Sequence, residues 1–303
     1  MYVPLEQLLR CLDLKEVGSD RWAGRSPDPG IGHLFGGQVL AQGLVAANRS
    51  LGGGLAHSLH AHFLRRGTPA RPIDFVVESL RSGRSIRTGT VTAVQDDAAI
   101  LRMTVSYHRA ESGPAHQIPM DAVGAPEGEA YEEALVRSVG RLLGYDLSDR
   151  QLPLEIRGVG GIGIFSDEIK PPNARCWMRT RGALPDDPLF HQCLFAYASD
   201  YAMMLPVLNP HPVSIPTVQT TSLDHAIWFH GDFRMDEWVL FELDSPVSRD
   251  GRGVGRGLLY TRAGELVASS VQEALIRTRS TGASPDPSAT DRSIARRGDR
   301  RDA

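Results

Sequence analysis

Cysteine is scarce in this 303-residue sequence: Cys11, Cys176 and Cys193 are the three present, far apart and with no CxxC pair. That spacing argues against a disulfide framework or a zinc knuckle and suits a reducing compartment. Lysine is scarcer still, with Lys15 and Lys170 the two among 33 basic residues, so the positive charge is almost all arginine. The net charge of −3 gives no surplus for neutralising phosphates, which argues against a nucleic-acid partner. No apolar run approaches the ~20 residues that span a bilayer, so no membrane partner is expected. The opening Met-Tyr-Val-Pro-Leu-Glu has neither a basic nor an apolar signal region, and the final Arg-Asp-Ala is not a peroxisomal address. A cytoplasmic protein is the expectation. Also missing are a GxSxG elbow, an HExxH pair and a P-loop.

What is present is an ordinary globular composition, 41% hydrophobic and 23% charged, in a chain long enough for two domains. Residues 5–14 read as a short amphipathic helix, and Asp28-Pro-Gly-Ile-Gly breaks the chain. Over 36–48, Val39, Leu40, Gly43, Leu44 and Ala47 recur at helical spacing, with small residues that allow close packing on a sheet. Strand patterns follow at 58–64, 73–80, 86–94 and 99–108. A helix followed by consecutive strands is an α+β pattern, in which an antiparallel sheet wraps the helix. After a Gly/Pro/charge-rich linker near 110–129 and a predicted helix over 131–143, the order recurs. A strand at 175–181 and a helical run at 191–207 precede strands at 217–230, 238–244, 252–260 and 266–276. The division expected is 1–112 for the first unit, 113–155 for a helix-bearing linker and 156–278 for the second unit. Residues 279–303, polar and without aromatic residues, are expected to be disordered.

Three patterns are set aside. Gly158-Val-Gly-Gly-Ile-Gly163 matches GxGxxG, but Pro171-Pro172 follow in place of the helix whose N-terminus would hold a pyrophosphate. Gly251, Gly253, Gly255 and Gly257 alternate into a strand, which indicates close backbone approach. His57, His60 and His62 cluster without a third ligand at metal-site spacing, and read as strand histidines.

Three places could carry chemistry. Asp200 lies in the apolar run Phe195-Ala-Tyr-Ala-Ser-Asp-Tyr-Ala-Met-Met-Leu205, where a carboxylate is costly to bury unless paired or neutralised. Desolvation would raise its pKa toward that of a useful general base; a backbone-capping or arginine-paired carboxylate is the structural alternative. Gln272, inside the apolar last strand, needs partners for both ends of its amide, and could orient a water or satisfy backbone. Thr220, Thr221 and Ser222 precede Asp224 and His225; alternation puts Thr220, Ser222 and Asp224 on one face, so Asp224 competes as the acid.

Five segments, Phe35-Gly-Gly-Gln-Val, His57-Ser-Leu-His-Ala-His-Phe-Leu-Arg-Arg-Gly67, Ala198-Ser-Asp-Tyr201, Asp224-His-Ala-Ile-Trp-Phe-His230 and Val267-Ala-Ser-Ser-Val-Gln-Glu273, resemble the type II acyl-CoA thioesterases in sequence and in order. The resemblance covers roughly residues 5–278. It implies a double hotdog that hydrolyses acyl-CoA to free acid and CoA with no metal or organic cofactor. Its catalytic trio of Asp, Thr or Ser, and Gln falls on Asp200, Ser222 and Gln272; serine keeps the hydroxyl that threonine supplies in many members. Gly36, Gly37 and Gln38, opening the first long helix, are candidate substrate-binding residues. The exposed sheet edges of hotdogs imply a homo-oligomer. The alternatives are a hotdog enoyl-CoA hydratase using Asp224 and His225, or a non-catalytic acyl-CoA-binding protein.

Overall fold

The computed structural model describes residues 3–29, 32–131, 152–160, 168–213 and 218–278. The short helix α1 (Leu5–Cys11) leads into the small strands β1 (Lys15–Gly18) and β2 (Arg21–Gly24). The long helix α2 (Gly36–Ser50) is followed by β3 (Ala56–Phe63), β4 (Ile73–Ser82), β5 (Ile86–Gln95) and β6 (Ala98–His108), all within two residues of the sequence expectation. Asp96 and Asp97, both at positive φ, close the β5–β6 hairpin in the left-handed geometry that two-residue turns require.

After a 3₁₀ turn at Pro126–Gly128 come β7 (Ala130–Tyr131), β8 (Leu154–Gly158) and β9 (Asn173–Thr180). Strands β1, β2, β7 and β8 are additions to the sequence reading; all four are five residues or shorter, too brief for a periodic signal. The helix expected at 131–143 begins on a residue of β7, and the rest of it lies outside the described residues, as do 161–163 of the glycine motif and the tail from 279.

The second long helix is shorter than its apolar run. It occupies α3 (Pro188–Ser199), starting on Asp187, whose side chain accepts from the Leu189 N–H, with Pro188 at its first position. It stops at Asp200, and the chain turns before a one-turn helix α4 (Leu205–Leu208). Pro206 sits in the first turn of α4, where no N–H is needed for the helix. Asp200 thus caps α3 rather than sitting within it. Strands β10 (Val218–Ser222), β11 (Asp224–Phe229), β12 (Val239–Arg249), β13 (Arg252–Thr261) and β14 (Leu266–Thr278) complete the second half.

The strands form one antiparallel sheet, ordered β1-β2-β4-β5-β6-β3-β11-β14-β13-β12-β9-β8-β7, with β10 also pairing β14. Each half supplies a helix and a run of strands, and the halves meet edge to edge where β3 pairs β11, Ala61 opposite His225. Ser58-Leu59 and Ser222-Leu223 precede those two residues at the same spacing. The helices share one core, in which Leu40, Leu44, Phe195 and Phe241 are fully buried. Helices α2 and α3 touch because Gly37 bears no side chain: a Cβ there would lie 2.4 Å from the Tyr197 carbonyl oxygen. On β13 the alternating glycines serve the same purpose, since a Cβ on Gly255 would lie 2.2 Å from the Met203 carbonyl oxygen. The sheet thus wraps the turn carrying Asp200 closely.

Candidate active site

Asp200 leaves the C-terminal end of α3 and meets the N-terminal end of α2. Its Oδ2 accepts the Gly37 N–H at 2.9 Å. The orphan donors and partial positive charge of a helix N-terminus favour an anion there. Gly36 makes the approach possible, because a Cβ on it would stand 2.9 Å from Asp200 Oδ2 and 2.9 Å from Phe63 Cε1. Ser222 and Gln272 also hydrogen-bond the carboxylate. The Gln272 amide nitrogen donates in addition to Ser222 Oγ at 2.8 Å. The carboxylate is enclosed, while part of the residue's surface stays open to solvent. Burial pushes the Asp200 pKa up to about 6, with the hydrogen bonds from Gly37, Gln272 and Ser222 holding it from rising further.

Strand alternation alone would not have put these groups together. Between β10 and β11 the pairing with β14 slips by one residue, from Ser222 opposite Ala274 to Ala226 opposite Val271. The irregularity at Leu223 turns both Ser222 and His225, three residues apart, toward Gln272. Asp224 points away from the cluster, its Oδ1 accepting the Glu273 N–H at 2.8 Å. Asp224 and His225 thus lie on opposite faces, as a hydratase pair could not. Thr220 is exposed on β10.

Of the candidate substrate-binding residues, Gly36 and Gly37 line the cluster, but the Gln38 side chain does not. Its amide nitrogen donates to Ser26 Oγ at 2.6 Å, on the far side of the α2 start. His57 bonds Ser106 and His60 packs edge-on against Trp228. The reading from sequence gave His225 a role only in the hydratase alternative and did not single out Ser199. His225 is fully buried, with Nδ1 on Gln272 Oε1 at 2.5 Å and Nε2 on Ser199 Oγ at 2.9 Å. The signal available was a histidine in phase with Ile227 and Phe229, on the apolar face of its strand.

This geometry has relatives. A sequence model described as acyl-CoA thioesterase matches residues 167–275, and one described as the acyl-CoA thioesterase N-terminal domain matches 25–108. Acyl-CoA thioesterase 2 of Haemophilus influenzae is 34% identical over 279 residues, 90% of this chain and 98% of that one. The chain belongs to the acyl-CoA thioesterase family. Acyl-coenzyme A thioesterase 8 of Rattus norvegicus is 35% identical over 281 residues, 88% of each chain. Among solved structures, an acyl-CoA thioesterase II from Mycobacterium marinum superposes with a TM-score of 0.76 at 34% identity, covering 90% of this chain and 99% of that one. A hot dog fold protein from Alicyclobacillus acidocaldarius, 18% identical over 90% of this chain and 98% of its own, shares the fold with a TM-score of 0.70. The architecture is accordingly a double hotdog, and the family's chemistry is thioester hydrolysis.

Proposed function

We propose that this chain hydrolyses acyl-CoA to a free carboxylic acid and CoA, with Asp200 as general base and Ser222 and Gln272 holding the attacking water beside it. The observation that carries the reading is the convergence of a serine hydroxyl, a glutamine amide and a helix N-terminus on one carboxylate. A pKa near 6 leaves that carboxylate ionised at neutral pH yet basic enough to accept a proton. Water attacks the thioester carbonyl carbon as Asp200 takes its proton. The C–O bond forms, the C–S bond breaks, and the proton passes on to the departing CoA thiolate. The Gly36 N–H, in the first turn of α2, is the donor we assign to the developing oxyanion.

The units 1–112 and 156–278 would each supply one wall of this site, α2 from the first and the trio from the second. Free Cys11, Cys176 and Cys193 support a reducing, cytoplasmic setting. Edge pairing of such sheets supports a homo-oligomer, which light scattering after size-exclusion chromatography measures. The function is tested by thiol release from short-, medium- and long-chain acyl-CoAs, wild type beside Asp200→Asn. Release by wild type and its loss in the variant support the proposal. Binding without release at any chain length would leave a non-catalytic acyl-CoA-binding protein, and conversion of crotonyl-CoA without release a hydratase.

A further inference from the structure

We infer that His225 is a positioning residue: its neutral ring, donating from Nδ1, holds the Gln272 amide with the nitrogen toward Asp200 and Ser222. The inference rests on the assignment of Asp200, Ser222 and Gln272 as the hydrolytic site.

An amide can be turned about its end so that oxygen and nitrogen exchange places, at little steric cost. In one orientation Gln272 gives Asp200 a donor; in the other it sets a carbonyl oxygen against a carboxylate. Nothing in Gln272 itself chooses between them. Its neighbours do. Gln272 is 1% exposed and His225 0%, so neither can turn to water for a substitute partner. Gln272 Oε1 lies 2.5 Å from His225 Nδ1, and an oxygen acceptor so placed requires that Nδ1 carry the proton. Burial keeps the ring neutral, so Nε2 is then bare and accepts from Ser199 Oγ at 2.9 Å. Ser199 is itself 0% exposed and stands one residue before Asp200.

The donors form a one-way series. Ser199 donates to His225, His225 to Gln272, and Gln272 to Ser222 and the Asp200 carboxylate. The series begins on the same helix end that presents the carboxylate, so α3 and β14 are locked to each other through a ring on β11. The groups facing Asp200 are the Gly37 N–H from α2, Tyr197 from its own helix, Ser222 from β10 and Gln272 from β14. Asp224 is the charged group that acts on His225, and its side chain is already occupied by the Glu273 N–H.

Two substitutions separate this role from simple packing. Asparagine at 225 places an amide N–H where Nδ1 stands; glutamine reaches the Nε2 position and leaves Gln272 Oε1 without its donor. In the asparagine variant the Ser199 O–H, released from Nε2, turns to the Ala196 carbonyl 3.2 Å away. We expect His225→Asn to retain kcat within about threefold, and His225→Gln to lose about 10- to 100-fold, with KM unchanged within about twofold in both. The acid limb of kcat against pH should move upward in His225→Gln alone, since the carboxylate loses a donor. Histidine ring ¹⁵N shifts of wild type should show Nδ1 protonated and Nε2 bare at pH 7, a readout that needs no variant to fold. Equal kcat and equal acid limbs in Gln and Asn variants, or an Nε2–H ring in wild type, overturn the inference. If His225→Gln runs at the wild-type rate while Asp200→Asn is inactive, this inference alone fails. If Asp200→Asn stays active, the site assignment beneath it fails.

Discussion

Replacing Asp200 by asparagine should abolish turnover and yet make the protein more stable at neutral and alkaline pH. Burial raises the Asp200 pKa from 3.8 to about 6, so the folded protein holds this proton more tightly than the unfolded chain does. A group whose folded pKa is raised contributes stability below its unfolded pKa and loses it as pH rises through the folded one. The full shift corresponds to about 3 kcal/mol lost between pH 3 and pH 8. About half of that, roughly 1–2 kcal/mol, falls between pH 5 and pH 8, a window away from acid unfolding. Asparagine does not titrate, so it escapes the loss. Other groups, including His225 with its pKa lowered to about 4, titrate equally in both proteins and cancel. Urea unfolding of wild type and Asp200→Asn at pH 5 and pH 8 gives the double difference directly. The variant should gain roughly 1–2 kcal/mol on wild type across that interval. A difference that stays constant from pH 5 to pH 8, or that moves the other way, would refute the claim that the buried carboxylate is held in a penalised ionised state.

With Asp200 as the base, kcat/KM should rise with pH through about 6 as it ionises, then level off, and an acid limb below pH 5 would count against that role. Gly36→Ala, whose Cβ would meet both Asp200 Oδ2 and Phe63 at 2.9 Å, should lower kcat by at least about tenfold while the thermal midpoint changes little. Gly37→Ala should instead destabilise the fold by about 1–3 kcal/mol in denaturant titration, because the obstacle at 2.4 Å is the backbone of α3. Ser222→Ala should cost about 10- to 100-fold in kcat and Ser222→Thr less than about threefold; steady-state kinetics that spare the alanine variant would remove Ser222 from the site.

The long elements were legible because periodicity persists over enough residues to be distinctive. Helix α2 and strands β3–β6, β9, β13 and β14 lie close to where alternation and helical spacing put them, whereas the single strand expected at 217–230 is divided into β10 and β11 and β12 runs on to Arg249. Asp200 was legible for another reason, as a charge in an apolar run. What the pattern could not show was a deviation from itself. The apolar run from His191 reads as one helix, but the helix stops at Ser199 with Asp200 capping it, and the turn beyond packs against Gly255 at Met203. The one-residue slip at Leu223 is the larger case. Strict alternation groups Ser222 with Asp224 and sends His225 elsewhere; the slip reverses that grouping, and Gln272 acquires Ser222 on one side and His225 on the other. Gln38 failed for a simpler reason: a side chain at a helix start can turn to either side, and here it takes Ser26.

The two repeats share an architecture, but the residues of the proposed trio have no counterparts of their kind in the first. Leu51 ends α2 as Asp200 ends α3, each in the position capping its helix. On the strands, Gly89 pairs with Val105 as Gly255 pairs with Gln272. The first repeat therefore has Leu51 and Val105 where the second has a carboxylate and an amide. They pack as those residue types do: Val105 is fully buried, and a Cβ on Gly89 would meet Leu51 Cδ1 at 2.6 Å. The gap at the start of α3 is closed as well, since the Gln192 amide accepts from the Ala56 N–H at 3.1 Å and donates to its carbonyl at 2.8 Å. The Leu51 and Val105 side chains offer no group that can take a proton from water. Active-site titration should accordingly count one site per chain, and Asp200→Asn should leave no second activity behind. Residual turnover above about 1% of wild type, with unchanged acyl-chain preference, would mean that catalysis survives without the carboxylate or that the first repeat works after all.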